Sequence, residues 1–307
     1  MNVSIIGGTG FVGTHLVARL MADGHRPRLL VRPGGGPRPG WISACATVSG
    51  GVGDEDAVAE CVAGCDAVVY LIGILREDPS HGVTFEELQT RGVERTISAA
   101  RNAGVRRFLL MSANGVKPEG TPYQRTKFLA EEALKASGLD WTVFRPSVIF
   151  GDPQGHMEFC TQLKRDIIDS PLPAPLFFPG LLPLNAGSFE LAPVAVGDVA
   201  AAFCHALTHA DTIGQTYNLC GPAAHSWKEI LKTIAAACGR TKVMLPAPAL
   251  AVQAVAAALD RFPWFPITRD QIAMLLENNR CDSGNGFERL GLTPTPFDAV
   301  SLAYLNA

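Results

Sequence analysis

Val3-Ser4-Ile5-Ile6-Gly7-Gly8-Thr9-Gly10-Phe11-Val12-Gly13 is the stretch on which the fold depends. A compact apolar run, Val3 to Ile6, ends in glycines. Phe11 to Met21 follows, with Val12, Leu16 and Leu20 beside Val17 and Met21 at helical spacing, until Gly24 stops it. Strand, glycine turn and helix in direct succession make a cradle for phosphate. Gly7 can take the positive φ of a tight turn. Gly10 carries no side chain to hold an anion off the backbone, and Gly13 lets the helix pack close to the strand. The helix mouth adds unpaired N–H groups and the positive end of a dipole. A lone glycine pattern is weak evidence; its place between a strand and a helix is the context it needs. The sequence therefore predicts a turn that holds the linking phosphates of a nicotinamide dinucleotide.

Outward from this turn, apolar runs alternate with amphipathic stretches. Arg28 to Val31 and Asp66 to Ile72 read as strands, Phe85 to Ala103 as a helix closed by Gly104, and Arg107 to Met111 as the next strand. Tyr123 to Ser137 is a helix ending at Gly138, and Trp141 to Phe144 a further strand. Such repetition predicts an α/β fold, a Rossmann-type doubly wound parallel sheet with helices on both faces. Ala67 to Ile72, apolar throughout, suits a strand buried on both sides.

After Gly151 the texture changes. Ser170 to Pro183 holds five prolines, which excludes a regular helix or a central strand and predicts an irregular lobe over the C-terminal edge of the sheet. Val199 to Leu207 is a helix with Asp198 as its N-cap, Thr216 to Leu219 a strand returning to the main sheet, and Ser226 to Cys238 and Thr268 to Glu277 are helices. The division expected is a dinucleotide-binding core over residues 1–150 and a smaller substrate lobe over 151–307, with 193–222 returning to the core.

The chain has 307 residues, 47% hydrophobic and 18% charged, with a net charge of −3. It carries no basic field to hold nucleic acid. Its first residues lack the basic and apolar regions of a secretory signal, and the longest apolar candidate, Ala247 to Leu259, is too short to span a bilayer. A cytoplasmic protein, monomer or homodimer, is expected. Eight cysteines at 45, 61, 65, 160, 204, 220, 238 and 281 form no paired Cys-x-x-Cys motif and read as free thiols in a reducing compartment. His156 and Cys160 stand at helical spacing, but two ligands do not make a zinc site, and no metal is expected. His15 reads as a helix-surface residue. Leu250 to Leu259, with Phe262, Trp264 and Phe265 beyond it, lacks cations on a polar face. That favours packing in the lobe or a subunit contact over peripheral membrane binding.

Tyr123 and Lys127 form a second constellation, four residues apart on one helix face. A phenol near pKa 10 is a poor base, and a neighbouring ammonium stabilises the phenolate. The pair can then exchange a proton with a carbinol or carbonyl. The plainer alternative is a helix tyrosine beside an ordinary lysine. At the end of the second strand, where an acid would meet a ribose 2′-hydroxyl, the chain has Val31-Arg32. Arg32 can pair with a 2′-phosphate, so NADP(H) is preferred, with NAD(H) as the alternative.

Together these residues resemble the short-chain dehydrogenase/reductase superfamily, in its extended and atypical, epimerase/dehydratase-like branches. Gly7 to Gly13 matches the glycine pattern, and Tyr123 with Lys127 the Tyr-x-x-x-Lys signature. Asp140 to Gly151, Pro193 to Ala200 and Thr216 to Pro222 are similar to later segments of these branches. Within them the chain is similar to the NAD(P)H-binding accessory subunit of respiratory complex I, through Phe262 to Gln271. The resemblance implies that backbone from Thr9 through Gly10 and Phe11 to Val12 touches the pyrophosphate, and that Arg32 meets the adenosine ribose or its phosphate. It places Ile72 and Gly73 on the adenosine side and Pro146 near the nicotinamide carboxamide. Tyr123 becomes the acid/base, and Lys127 its partner and a ligand of the nicotinamide ribose. Two departures stand out. Gly50-Gly51-Val52 occupies the place of an acid near the adenine, so that contact is lost or moved to Asp54. The hydroxyl that completes the catalytic set falls in Met111-Ser112-Ala113-Asn114-Gly115, where Ser112 stands one position early. Two functions follow: an NADP(H)-dependent oxidoreductase, epimerase or dehydratase, or a non-catalytic coenzyme-binding accessory or redox sensor of a respiratory complex. The Pro, Leu and Phe of Gly151 to Ser188 point to an apolar or bulky small-molecule substrate.

Overall fold

The computed structural model describes residues 1–34, 40–180, 182–253 and 268–306. Thirteen strands occur among them in chain order. The first six are β1 (Asn2–Ile6), β2 (Arg26–Val31), β3 (Ala46–Ser49), β4 (Ala67–Tyr70), β5 (Arg107–Met111) and β6 (Asp140–Pro146). The rest are β7 (Ile149–Phe150), β8 (Ala174–Phe178), β9 (Glu190–Leu191), β10 (Val194–Ala195), β11 (Gln215–Leu219), β12 (His225–Ser226) and β13 (Met244–Pro248). Seven of them form one sheet in the order β11-β6-β5-β4-β1-β2-β3, and every pairing in it is parallel. This is the doubly wound sheet expected, and the strand order reverses at β1 and β4, the point whose C-terminal side is where doubly wound sheets generally bind ligands.

Helices α1 (Phe11–Ala22), α2 (Glu55–Val62), α3 (Gly92–Asn102), α4 (Pro122–Lys135), α5 (Phe159–Leu163), α6 (Val196–Thr208) and α7 (Trp227–Ala237) clothe the sheet and build the lobe. One face of the sheet is sealed by α1 and α6, through Leu16, Leu20, Val199 and Phe203, all inaccessible to solvent. The other is sealed by α2, α3 and α4, through Val58, Ala100, Ala130 and Leu134. A third core, around Trp227, Phe150, Phe177 and Phe189, holds the lobe.

Several expectations are corrected. The stretch read as one helix from Phe85 opens with a wide π-type turn, Glu86–Arg91, before α3. The Pro-rich stretch is not wholly irregular: β8 lies inside it, paired with β13 in a separate two-stranded sheet where prolines cost no central ladder bonds. Asp198 does not cap α6. Ala195 holds that place, while the Asp198 carboxylate accepts from the Thr295 N–H (2.6 Å) and hydroxyl (3.1 Å). The thiols are not all free, since Cys220 and Cys281 form a disulfide. The fold brings their Cα atoms to 6.0 Å although 61 positions separate them, a proximity that spacing could not show. Among the described residues no helix is long and apolar enough to cross a membrane. Phe262, Trp264, Phe265 and most of Leu250 to Leu259 lie outside the described residues.

Candidate functional site

The site assembles where β1, β4, β5 and β6 end. At the first turn, Gly7 has φ +93, a conformation costly for any residue with a Cβ. A Cβ on Gly13 would stand 2.3 Å from the Gly7 carbonyl oxygen and 2.7 Å from Gly8 Cα, so helix and turn touch backbone to backbone. Gly10 donates to the Gly7 carbonyl (3.1 Å) and caps α1 without a side-chain partner, and the first turn of α1 holds no acid. Amides of Phe11, Val12 and Gly13 therefore open outward with the positive end of the dipole unquenched. Ile72 backs this turn, its N lying 3.1 Å from where a Gly7 Cβ would be. The cradle fits a dinucleotide pyrophosphate because each of these close approaches requires glycine.

Past β4, Gly73 leaves room for Lys127. A Cβ there would sit 3.3 Å from the ammonium nitrogen. Lys127 is buried to 2% exposure on α4, a helix set by a Thr121–Gln124 capping box with Pro122 at its start. Its Nζ donates to the carbonyls of Ile72 (2.9 Å) and Met111 (2.9 Å), tying the ends of β4 and β5 together. Burial lowers its pKa to about 8, with Glu131 pulling the other way. Tyr123, half-buried one turn earlier, packs edge-on to Phe85 with ring centres 5.9 Å apart. Burial raises its phenol to about 12. The lowering expected from a lysine neighbour is absent: desolvation alone sets the direction of the Tyr123 shift.

Ser112 follows β5, 3% exposed, its N–H donating to the Phe144 carbonyl (2.7 Å). Its hydroxyl is buried with no hydrogen-bond partner. Asn114, the other polar residue in that register, is committed: its N–H donates to the Pro146 carbonyl (2.9 Å) and its amide to Asn279 Oδ1 (2.7 Å) and the Arg280 carbonyl (3.1 Å). Pro146 ends β6, buried, in register with Leu219 of β11. The structure thus links Gly7, Ile72, Gly73, Lys127, Ser112 and Pro146 through direct contacts or chain neighbours.

Arg32 stands apart, exposed past the end of β2, its Cγ 3.9 Å from where a Gly51 Cβ would be. Asp54, the other position offered for the missing acid, serves the fold as a cap. Its carboxylate caps α2, accepting from the Ala57 N–H (3.1 Å). His15 is half-buried, its Nε2 2.9 Å from the Asp152 carbonyl. His156 precedes α5, so it shares no helix with Cys160.

Sequence reasoning missed the segment from Glu277 to Asn285, which crosses the ends of β5, β6 and β11. Glu277 accepts from Lys117 (2.8 Å) and Gln124 (2.9 Å), and the Asn279 carbonyl accepts from the Ser147 hydroxyl (3.1 Å) and the Ala192 N–H (2.8 Å). Nothing in its polar, non-periodic sequence marks it as part of the site.

Comparison with known proteins gives the family and the fold. Residues 7–166 match the model of a family described as NAD(P)H-binding. A ceramide reductase of Caulobacter vibrioides is 32% identical over 150 residues, 48% of this chain and 46% of that protein; the match thus spans about half of the relative. The mitochondrial NADH-ubiquinone oxidoreductase 40 kDa subunit of Neurospora crassa is 23% identical over 313 residues, 100% of this chain and 79% of the subunit. In fold, the chain is similar to a Thermus thermophilus UDP-glucose 4-epimerase solved with NAD, at TM-score 0.65 and 22% identity, over 90% of this chain and 98% of the epimerase.

Proposed function

The chain belongs to this NAD(P)H-binding family, and we propose that within it the protein is an NADP(H)-dependent oxidoreductase acting on a carbonyl or carbinol. Bound NADP(H) would supply or accept the hydride. The glycine turn would hold the pyrophosphate, Arg32 the 2′-phosphate, and Lys127 the nicotinamide ribose with its remaining donor. Tyr123 would give or take the proton at its phenol oxygen. The Ser112 hydroxyl would donate to the substrate oxygen and hold it in place.

One observation carries this reading: the buried, unpartnered Ser112 hydroxyl. Leaving such a group unpaired costs about 1–3 kcal/mol, and a satisfied interior rarely keeps one. Its place next to Met111, whose carbonyl accepts from Lys127, supports the reading that this donor meets the reacting oxygen.

The test is NADPH oxidation with a panel of apolar ketones and aldehydes. Tyr123→Phe should lower turnover by about 10²–10³-fold and leave coenzyme affinity unchanged. Ser112→Ala should cost about tenfold or more in turnover. A second reading, a coenzyme-binding accessory without turnover, is favoured by the raised Tyr123 phenol and the whole-length similarity to the complex I subunit. Tight coenzyme binding with no oxidation of any substrate would select it. Indifference to both coenzymes would refute both readings.

A further inference from the structure

We propose that Cys220 and Cys281 are a redox-active thiol–disulfide site, reduced by dithiols, that locks residues 277–285 as a strap across the C-terminal edge of the sheet. Cys220 directly follows β11 and Cys281 lies two residues past Asn279, so this bond joins the strap to a sheet strand. The strap's other polar ties among the described residues are hydrogen bonds and ion pairs. Asn279 donates its N–H to the Glu190 carbonyl (2.8 Å), Asn285 Nδ2 donates to the Cys220 carbonyl (2.8 Å), and Ser283 accepts from Asn218 (3.0 Å). Arg280 pairs with Glu190 (2.5 Å) and Asp282 (2.6 Å) on the surface. Exposed ties of this kind hold weakly by themselves.

The two sulfurs are unequally placed. Cys220 is 2% exposed, whereas Cys281 is half-buried and the more open of the two residues. An incoming dithiol would attack as a thiolate at Cys281 Sγ. The S–S bond breaks, Cys220 leaves as a thiolate and takes a proton, and a mixed disulfide forms on Cys281. The second thiol of the reductant then displaces Cys281, so the dithiol is oxidised to its disulfide and both cysteines are reduced. Cys61, Cys65, Cys160 and Cys204 are buried, with thiols raised by desolvation, and offer no such entry.

What the bond controls follows from the strap's contacts. Through Asn279 it holds Asn114 and Ser147, which follow β5 and β6, and through Glu277 it holds Gln124, the neighbour of Tyr123. Oxidation therefore keeps the C-terminal edge assembled, and reduction leaves it tied by non-covalent bonds, the hydrogen bonds and ion pairs above. The consequence for coenzyme rests on the proposed function; the state of the thiols and of the strap does not.

The full-length protein would be equilibrated in oxidised or reduced dithiothreitol and read three ways. Maleimide labelling under denaturing conditions should count two more thiols in the reduced protein. Hydrogen exchange at the amides of Asn279 and Ala192 should rise about tenfold or more on reduction. The dissociation constant for NADPH should rise about fivefold or more. Cys220→Ser with Cys281→Ser should match the reduced protein under both conditions. If that pair fails to fold, Cys281→Ser alone, at a half-buried site, replaces it. Equal labelling in both states, or equal exchange at both amides, overturns the proposal. Failure of NADPH to bind in either state would overturn the coenzyme reading while the labelling and exchange results still decide this one.

Discussion

Replacing Gly13 by Ala tests whether the phosphates rest on the first turn. The added Cβ would lie 2.3 Å from the Gly7 carbonyl oxygen and 2.7 Å from both Gly8 Cα and its carbonyl carbon, all backbone. Non-bonded carbon contacts relax at roughly 3.5–4.0 Å, so turn and helix mouth must separate by about 1 Å. Overpacking of this kind costs about 1–3 kcal/mol, and exchanging Gly for Ala inside a helix returns about 1 kcal/mol. Stability should then fall by about 0–2 kcal/mol, leaving a folded protein to measure. Gly197 in α6 is the control, because nothing lies within 4 Å of its Cβ position. Gly197→Ala should be neutral or stabilising by up to about 1 kcal/mol. Binding separates the two variants. A shift of about 1 Å spoils the amide contacts to phosphate, each worth about 1.5–3 kcal/mol as a bond to a charged group. That predicts a loss of about 10- to 100-fold in NADPH affinity for Gly13→Ala and none for Gly197→Ala. Calorimetric titration of the folded variants, with urea melts for stability, reads both quantities. A folded Gly13→Ala protein that binds NADPH within about threefold of the parent would refute the reasoning, because the pyrophosphate would then lie elsewhere.

Three further outcomes are expected. Arg32→Ala should weaken NADPH by about 10- to 100-fold and NADH far less, by titration of both coenzymes; equal losses would remove the preference for NADP(H). Arg145→Ala should destabilise the fold by about 3–5 kcal/mol, because Glu131, wholly buried, loses its two-point partner at 2.8 and 2.6 Å. A urea melt showing less than about 1 kcal/mol lost would mean that Lys135, 3.4 Å away, suffices. Lys127, lowered from 10.5 to about 8, binds its proton more weakly folded than unfolded. Stability should therefore climb with pH from 8 toward 10.5, by roughly 3 kcal/mol at most. Lys127→Met should flatten the rise between about pH 7.5 and 9.5, below the range where the raised Tyr123 phenol acts in the opposite sense. An unchanged slope would mean that another group titrates.

What the residues disclosed in advance depended on how local the determinant was. Val3 to Gly13 could be read because strand, turn and helix are adjacent, so each glycine's duty follows from chain geometry. Ala67 to Tyr70 announced a central strand because burial on both faces demands continuous apolarity. Its edge counterpart β3 escaped notice because only Val48 of Ala46–Ser49 is buried. Asp198 looked like a cap by position, but its partner, Thr295, is 97 residues away. The strap and its disulfide were invisible for the same reason. Asn114 and Asn279 are 165 residues apart and meet only through the path of the lobe.

Lys127 shows how a motif can be overdetermined. Its Nζ bridges the carbonyls of Ile72 and Met111 and so ties together the chain ends of β4 and β5. A lysine here serves the fold before any tyrosine is considered, and Gly73 is small because the ammonium needs the space. The four-residue spacing to Tyr123 is thus compatible with structure alone, and the raised phenol agrees with that. The fold has no such use for the Ser112 hydroxyl. It is enclosed, polar and unpaired, and alanine would fill the position at lower cost. Between the two, the serine is the residue whose polar group the fold leaves unpaired, although the lysine signature is the easier one to see in a sequence.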